Sequence, residues 1–176
     1  MTLRLAILGN SGSGKSTLAQ RVGTLSGLAP LDLDTLAWEP GRIAVPRDPA
    51  AARADVEAYC SSHTQWIIEG CYADLITTAL PHEPVLVFLE PGLETCLAHC
   101  RRRPWEPHKY RSKAEQDEHL AFLLEWVEGY YTRDGEMSRR AHQALFDRYQ
   151  GPKHQLKASP DPEFIEALLS HARDGS

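Results

Sequence analysis

No run of apolar residues in this 176-residue chain approaches the ~20 consecutive positions that a helix needs to cross a bilayer, so no membrane-crossing helix is expected in it. No leader-like segment precedes the first apolar run, and a cytoplasmic location is expected. Cysteine is scarce. Cys60, Cys71, Cys96 and Cys100 lack the paired C-x-x-C spacing of a zinc site, and a chain of this size needs no disulfide framework, so free thiols are expected. Cys96 and Cys100, four apart with His99 and His108 nearby, are read as packing residues on one helix face and not as metal ligands. Internal repeats and low-complexity segments are absent. An excess of positive charge is missing too: 19 basic residues against 24 acidic ones leave a net of −5, which argues against extended binding to nucleic acid or to an anionic membrane. The length suits one domain spanning residues 1–176.

What is present is concentrated. The stretch Gly9-Asn10-Ser11-Gly12-Ser13-Gly14-Lys15-Ser16 fits G-x-x-x-x-G-K-[ST] and follows the apolar run Leu3 to Leu8, as a phosphate-binding loop follows a buried strand. Glycines there let successive backbone N–H groups turn inward, where they and the start of the next helix hold phosphate oxygens. Residues Gly9 to Thr17 are therefore the expected nucleotide-binding set. Lys15 would neutralise the β- and γ-phosphates, and the Ser16 hydroxyl would sit on Mg²⁺. A second concentration is cationic: Arg101, Arg102, Arg103, Lys109, Arg111 and Lys113 are accompanied by one acid, Glu106.

Apolar runs alternate with helical stretches in the manner of a parallel sheet covered on both faces. Strands are expected at Leu3 to Leu8, Ala29 to Leu33, Trp66 to Ile68, Val85 to Leu89 and His154 to Lys157. The first helix begins in the phosphate loop. Asp48-Pro49 and Asp161-Pro162 each offer an N-cap with proline in the first turn, starting helices toward Ser61 and Ala172. Further helices are expected at Leu93 to Arg103, Lys113 to Thr132 and Glu136 to Arg148. The span 104–151 exceeds what a crossover between parallel strands requires. It reads as a helical insertion, either a mobile cover over the site or an excursion packed on the sheet.

In open parallel sheets ligands sit beyond the carboxyl ends of the strands. Asp32 and Asp34 close the second expected strand, where alternate residues point the same way, and Glu69 closes the third. An aspartate can orient an acceptor hydroxyl and receive its proton, while another carboxylate can bind the shell of Mg²⁺; capping and turn chemistry are the alternative for all three. Gly70 either lets a substrate approach the backbone or serves a turn. Trp38, with Pro40, Gly41 and Arg42, either walls an acceptor pocket or joins the core. The mobile arginine that phosphoryl transfer needs is sought among Arg101 to Arg103 and Arg111, with Arg103 and Arg111 foremost. Arg139 and Arg140 are weaker candidates that read rather as surface residues on a helix, and Ser159 and Pro160 either edge the adenine or cap the last helix.

With the phosphate loop, the Asp32-x-Asp34 strand end and Trp66-Ile-Ile-Glu69-Gly70 in place, the chain resembles the P-loop small-molecule kinases, which include adenylate kinase and shikimate kinase. Leu33-Asp34-Thr-Leu36-Ala-Trp38-Glu-Pro40-Gly41 and Trp66-Ile-Ile-Glu69-Gly70-Cys-Tyr72 are similar to elements of the adenylate-kinase-related DNA topology modulation proteins (FlaR-like). The likeness covers residues 1 to about 103. It implies a five-stranded parallel sheet in the order 2-3-1-4-5 with helices on both faces, ATP with Mg²⁺, and an arginine-bearing lid between the fourth and fifth strands. Asp32 and Asp34 also match an Asp-x-Asp of shikimate kinases, the first associated with magnesium and the second with the acceptor hydroxyl. Glu69 departs from the Asp usual in the FlaR-like element, and the acceptor-binding triple glycine of shikimate kinases is absent.

The resulting expectation is an ATP-dependent phosphotransferase acting on a small molecule, nucleoside or nucleotide first, in a monomer or homodimer. Lys15 and Ser16 would hold phosphates and metal, Asp32 would serve the metal, Asp34 the acceptor, and Trp38, Glu69 and Gly70 would line its site. A nucleotide-dependent switch acting on a protein or DNA partner through 104–151, and an enzyme of polynucleotide ends, are the rival readings.

Overall fold

The computed structural model describes residues 2–40, 45–107 and 110–171. Five strands, β1 (Arg4–Gly9), β2 (Leu31–Asp32), β3 (Trp66–Gly70), β4 (Val85–Leu89) and β5 (Lys153–Leu156), form one sheet in the order β2-β3-β1-β4-β5. Every pairing is parallel. The inner strands read as unbroken apolar runs because both faces are covered. Alternate residues serve opposite faces. Ala6 and Leu8 join Ile68, Leu86 and Phe88 in one core cluster, whereas Leu5 and Ile7 join Ile67, Val87 and Leu89 in the other.

Nine α-helices among the described residues complete the layers: α1 (Lys15–Ser26), α2 (Asp34–Ala37), α3 (Pro49–Ser62), α4 (Ala73–Ala79), α5 (Leu93–Arg101), α6 (Lys113–Glu118), α7 (Leu120–Glu128), α8 (Arg139–Arg148) and α9 (Pro162–His171). Val22 of α1 and Ile165 and Leu168 of α9 pack with the second cluster; Val56, Ile76 and Leu145, from α3, α4 and α8, pack with the first. Asp48 caps α3 by accepting from Ala51 N at 3.0 Å, and the Asp161 carboxylate accepts from Phe164 N at 2.7 Å, so both Asp-Pro starts act as their residue types require. Ala172, the expected end of the last helix, lies outside the described residues.

Three expectations change. The second strand ends at Asp32, because the Asp32 carboxylate accepts from Asp34 N at 2.9 Å and turns the chain into α2. Asp34 thus reaches the site from a helical turn and not from an extended strand. The helix expected over Lys113 to Thr132 divides into α6 and α7 at His119 (φ −86°, ψ −6°) and finishes in a 3₁₀ turn at Gly129–Tyr131. The helix expected from Glu136 starts at Arg139, where the Ser138 hydroxyl accepts from Ala141 N at 3.1 Å.

The insertion is of two kinds. Val127, Tyr130, His142 and Leu145 are buried, and Asn10 Nδ2 donates to Val127 O at 3.1 Å, so its second part is built into the body of the domain. Trp105 and most of α6 are exposed. Among the described residues of the insertion, Trp105 and α6 are thus the less tightly packed part.

Candidate active site

β1 ends at the centre of the sheet, where successive crossovers leave to either side and open a crevice. The loop from Gly9 to Gly14 turns there into α1. Gly12 has φ +76°, and a Cβ at that position would press on the Cys96 carbonyl and lie 2.8 Å from Cys100 Sγ, so α5 packs directly on the loop's backbone. The two cysteines act in packing, as expected, and burial raises both thiol pKa values. His99, on the same helix, meets Gly12 O at 2.7 Å; a carbonyl only accepts, so Nδ1 carries the proton. Asn10 accepts from Ser11 N at 2.8 Å through its side chain. Lys15 Nζ donates to Asn10 O at 2.9 Å.

Helix α1 follows Gly14 at its N-cap, with no side-chain cap and no acid in its first turn. Its first N–H groups have no intrahelical carbonyl to meet, and they carry the positive end of the helix dipole. That arrangement suits an anion. It faces a cavity of about 520 Å³ lined by loop residues including Lys15, Ser16 and Thr17, by Asp32, Asp34, Glu69, Gly70 and Cys71, and by Arg21, Arg102, Arg103 and Ser159.

Parallel pairing sets Asp32 opposite Glu69 on adjacent strand ends. Ser16 Oγ donates to Glu69 Oε1 at 2.6 Å, which draws Glu69 to the loop serine. Burial raises the Glu69 pKa, opposed by Lys15 and raised further by Asp32. Hydroxyl and carboxylate oxygens together are the hard donors that Mg²⁺ takes, and the described residues hold no cluster of three His, Cys, Asp or Glu that would cage a metal. The donor set fits an ion that binds through few protein ligands and keeps its water.

Asp34 Oδ1 accepts from Tyr72 OH at 2.6 Å, and Tyr72 OH in turn accepts from Trp38 Nε1 at 2.6 Å. Trp38 lies against Tyr72 edge-on, with centroids 6.4 Å apart at 68°, and packs on the first core cluster. It stands outside the cavity lining and meets the site through Tyr72. Gly70 ends β3 where a Cβ would be 2.9 Å from Leu33 Cβ and 3.1 Å from Tyr72 Cδ2; close packing therefore requires this glycine. Gly41 and Arg42, which follow Trp38 in the sequence, lie outside the described residues.

Arg103 lines the cavity beside Arg102 and pairs with Glu106 at 3.3 Å. Arg111 is exposed and is not brought to the cavity, while its backbone N–H donates to Glu115 Oε2 at 2.7 Å. His108 and Lys109 lie outside the described residues. Arg140 is a surface residue paired with Asp134, whereas Arg139 pairs with the Glu90 carboxylate, whose side chain is largely buried. Ser159 and Pro160 edge the cavity.

Tyr72 and His142 carried no functional sign in their residue types. His142 is fully buried between Tyr130 OH and Cys71 O, both at 2.8 Å. Because the carbonyl accepts, Nε2 donates to it and Nδ1 accepts from the phenol. The pair braces the backbone just after Glu69 and Gly70. Burial lowers the His142 pKa to about 4.

No protein-family model and no curated protein matches the sequence. Solved structures are similar in fold. A gluconokinase from Sinorhizobium meliloti superposes with a TM-score of 0.58 at 15% identity, covering 97% of this chain and 91% of that one. A sugar kinase from a Janibacter species gives 0.55 at 14% identity, covering 97% and 94%. The shikimate kinase of Bacteroides thetaiotaomicron gives 0.54 at 17% identity, covering 98% and 97%. With its five parallel strands in the order 2-3-1-4-5 and helices on both faces, the chain has the fold found in these P-loop small-molecule kinases.

Proposed function

We propose that this protein is an ATP-dependent phosphotransferase that moves the γ-phosphate to a hydroxyl of a small-molecule acceptor. The observation that carries this reading is the convergence on one cavity of an uncapped helix start, Lys15 and Ser16 with three carboxylates, Asp32, Asp34 and Glu69. A loop that only bound and released nucleotide would have no use for an acid held by a directed hydrogen bond, as Asp34 is.

In this reading the loop backbone and Lys15 grip the phosphates. Ser16, with Asp32 and Glu69 beside it, would hold Mg²⁺, which when bound neutralises charge on the phosphates. Asp34 orients the acceptor hydroxyl and takes its proton as the oxygen bonds to the γ-phosphorus; the bond from that phosphorus to the β–γ bridging oxygen breaks, and ADP leaves. Arg103 supplies further positive charge at the cavity, and Arg111, which lies outside the cavity lining, would join it only by moving inward.

The neighbours' names, gluconokinase, sugar kinase and shikimate kinase, add sugars, sugar acids and hydroxy acids to the nucleosides and nucleotides to be tried as acceptors. The test is ADP release by purified protein with Mg-ATP across that panel. Acceptor-dependent ADP with a phosphorylated product by mass spectrometry is expected. Tight ATP binding without acceptor-dependent ADP would overturn the reading and leave a nucleotide-dependent switch in its place.

A further inference from the structure

We propose that Tyr72 is the positioning residue for Asp34, and that Trp38 serves the site by orienting Tyr72, so that three side chains form a one-way hydrogen-bonded chain ending on the acceptor carboxylate. This rests on the phosphotransfer reading above.

The direction of the chain is fixed by chemistry. An indole N–H only donates, and a phenol oxygen both accepts and gives one proton. The Trp38 proton therefore goes to Tyr72, and the Tyr72 proton has Asp34 Oδ1 to receive it; both contacts measure 2.6 Å. Hydrogen bonds to a charged acceptor are the short and strong ones. Burial, with neighbouring charge, pushes the Tyr72 phenol pKa upward, so the hydroxyl stays a donor across the working range of pH.

The surroundings supply the rigidity that Asp34 lacks. Its helix α2 is four residues long and has no buried residue, a poor mount for a group that must be held within about 0.5 Å of a reacting hydroxyl. Tyr72 is 7% exposed, seated where Gly70 leaves room for its ring. Trp38 is held in turn by its backbone bond to Asp34 O at 3.3 Å and by the bridge to Pro46. The sequence element around Trp38 and the one ending in Tyr72 meet at this junction, which gives a single reason for both aromatic residues.

The test is steady-state kinetics of Tyr72→Phe, Trp38→Phe, Asp34→Asn and the double variant Tyr72→Phe/Asp34→Asn, using the acceptor found in the panel. Tyr72→Phe is expected to lower kcat about 10- to 100-fold, the loss of one hydrogen bond to a charged group, with Mg-ATP affinity unchanged. In the Asp34→Asn background the same change should cost less than about 3-fold, because there is no carboxylate left to position. An equal loss in both backgrounds, or a Tyr72→Phe enzyme with wild-type kcat, would overturn the proposal. A second readout needs no turnover: the Trp38 indole N–H resonance should move in both Tyr72→Phe and Asp34→Asn, and a resonance indifferent to Asp34→Asn would sink the chain. Wild-type protein that binds Mg-ATP yet phosphorylates no acceptor defeats the phosphotransfer reading and this role with it, whereas wild-type turnover with unchanged Tyr72→Phe defeats this role alone.

Discussion

Lys15 and Asp34 line the same cavity; the proposed phosphotransfer gives them different halves of the reaction, and substitution should then separate them. Lys15→Ala should abolish measurable Mg-ATP binding by titration calorimetry. Asp34→Asn should keep that affinity within about 2-fold and lower acceptor-dependent turnover by about 100-fold or more, the range expected for loss of a general base. His142 belongs to stability. Its pKa falls from the ordinary 6.5 to about 4 in the folded protein, so between those values the unfolded chain binds the extra proton. The associated stability is complete above about pH 6.5 and is lost as pH falls toward 4, up to about 3 kcal/mol. Urea unfolding should therefore show wild type losing about 2 kcal/mol more than His142→Asn between pH 7 and pH 5; equal losses would refute the assignment. At this scale Lys15, Ser16, Asp32, Asp34 and Glu69 were legible because their types and spacing carry chemistry. Tyr72 and His142 were not, since their meaning comes from partners 38 and 71 positions away in the chain.

The helices of the insertion divide by what they touch. α8 is capped by Ser138, which is buried, accepts from Ala141 N and donates to Gly135 O at 2.7 Å. α6 has the same kind of cap in Ser112, which accepts from Glu115 N at 3.1 Å, on a mostly exposed helix. Ser138→Ala should cost about 1–2 kcal/mol in global unfolding, whereas Ser112→Ala should leave the global value within about 0.5 kcal/mol. Limited proteolysis supplies a companion check, with the first cuts expected in α6 and 120–149 resisting. Leu120, Leu123, Leu124, Val127 and Tyr130 fall at helical spacing within the helix expected over Lys113 to Thr132, but no pattern in them tells a cover from a packed layer. That distinction rests on what lies opposite. Val127 meets Cys96, Leu97 and Cys100 of α5 in a cluster of their own, contacts that local periodicity does not encode. The cap residues Asp48 and Asp161 could be read in advance because they act on backbone only three residues ahead.

Across the whole molecule a parallel sheet covered on both faces was legible in the β-α alternation, whereas its strand order followed only from the resemblance to the P-loop small-molecule kinases. If the cavity binds nucleotide, occupancy must be felt by the entire fold. Mg-ATP at about 100 times its dissociation constant should add about 2.7 kcal/mol, raising Tm by several degrees, and Lys15→Ala should erase the shift. A wild-type Tm indifferent to Mg-ATP would contradict nucleotide binding. The sheet's borders carry a different consequence. On one flank β2 contributes two residues; on the other, β5 spans four, and Lys153 folds its ammonium back onto the carbonyls of Phe146, Asp147 and Tyr149. Short rims and a cationic guard offer a neighbouring chain almost no ladder to extend. Self-association by strand addition is thereby discouraged at both flanks, and any homodimer of this protein is expected to meet through helical surfaces.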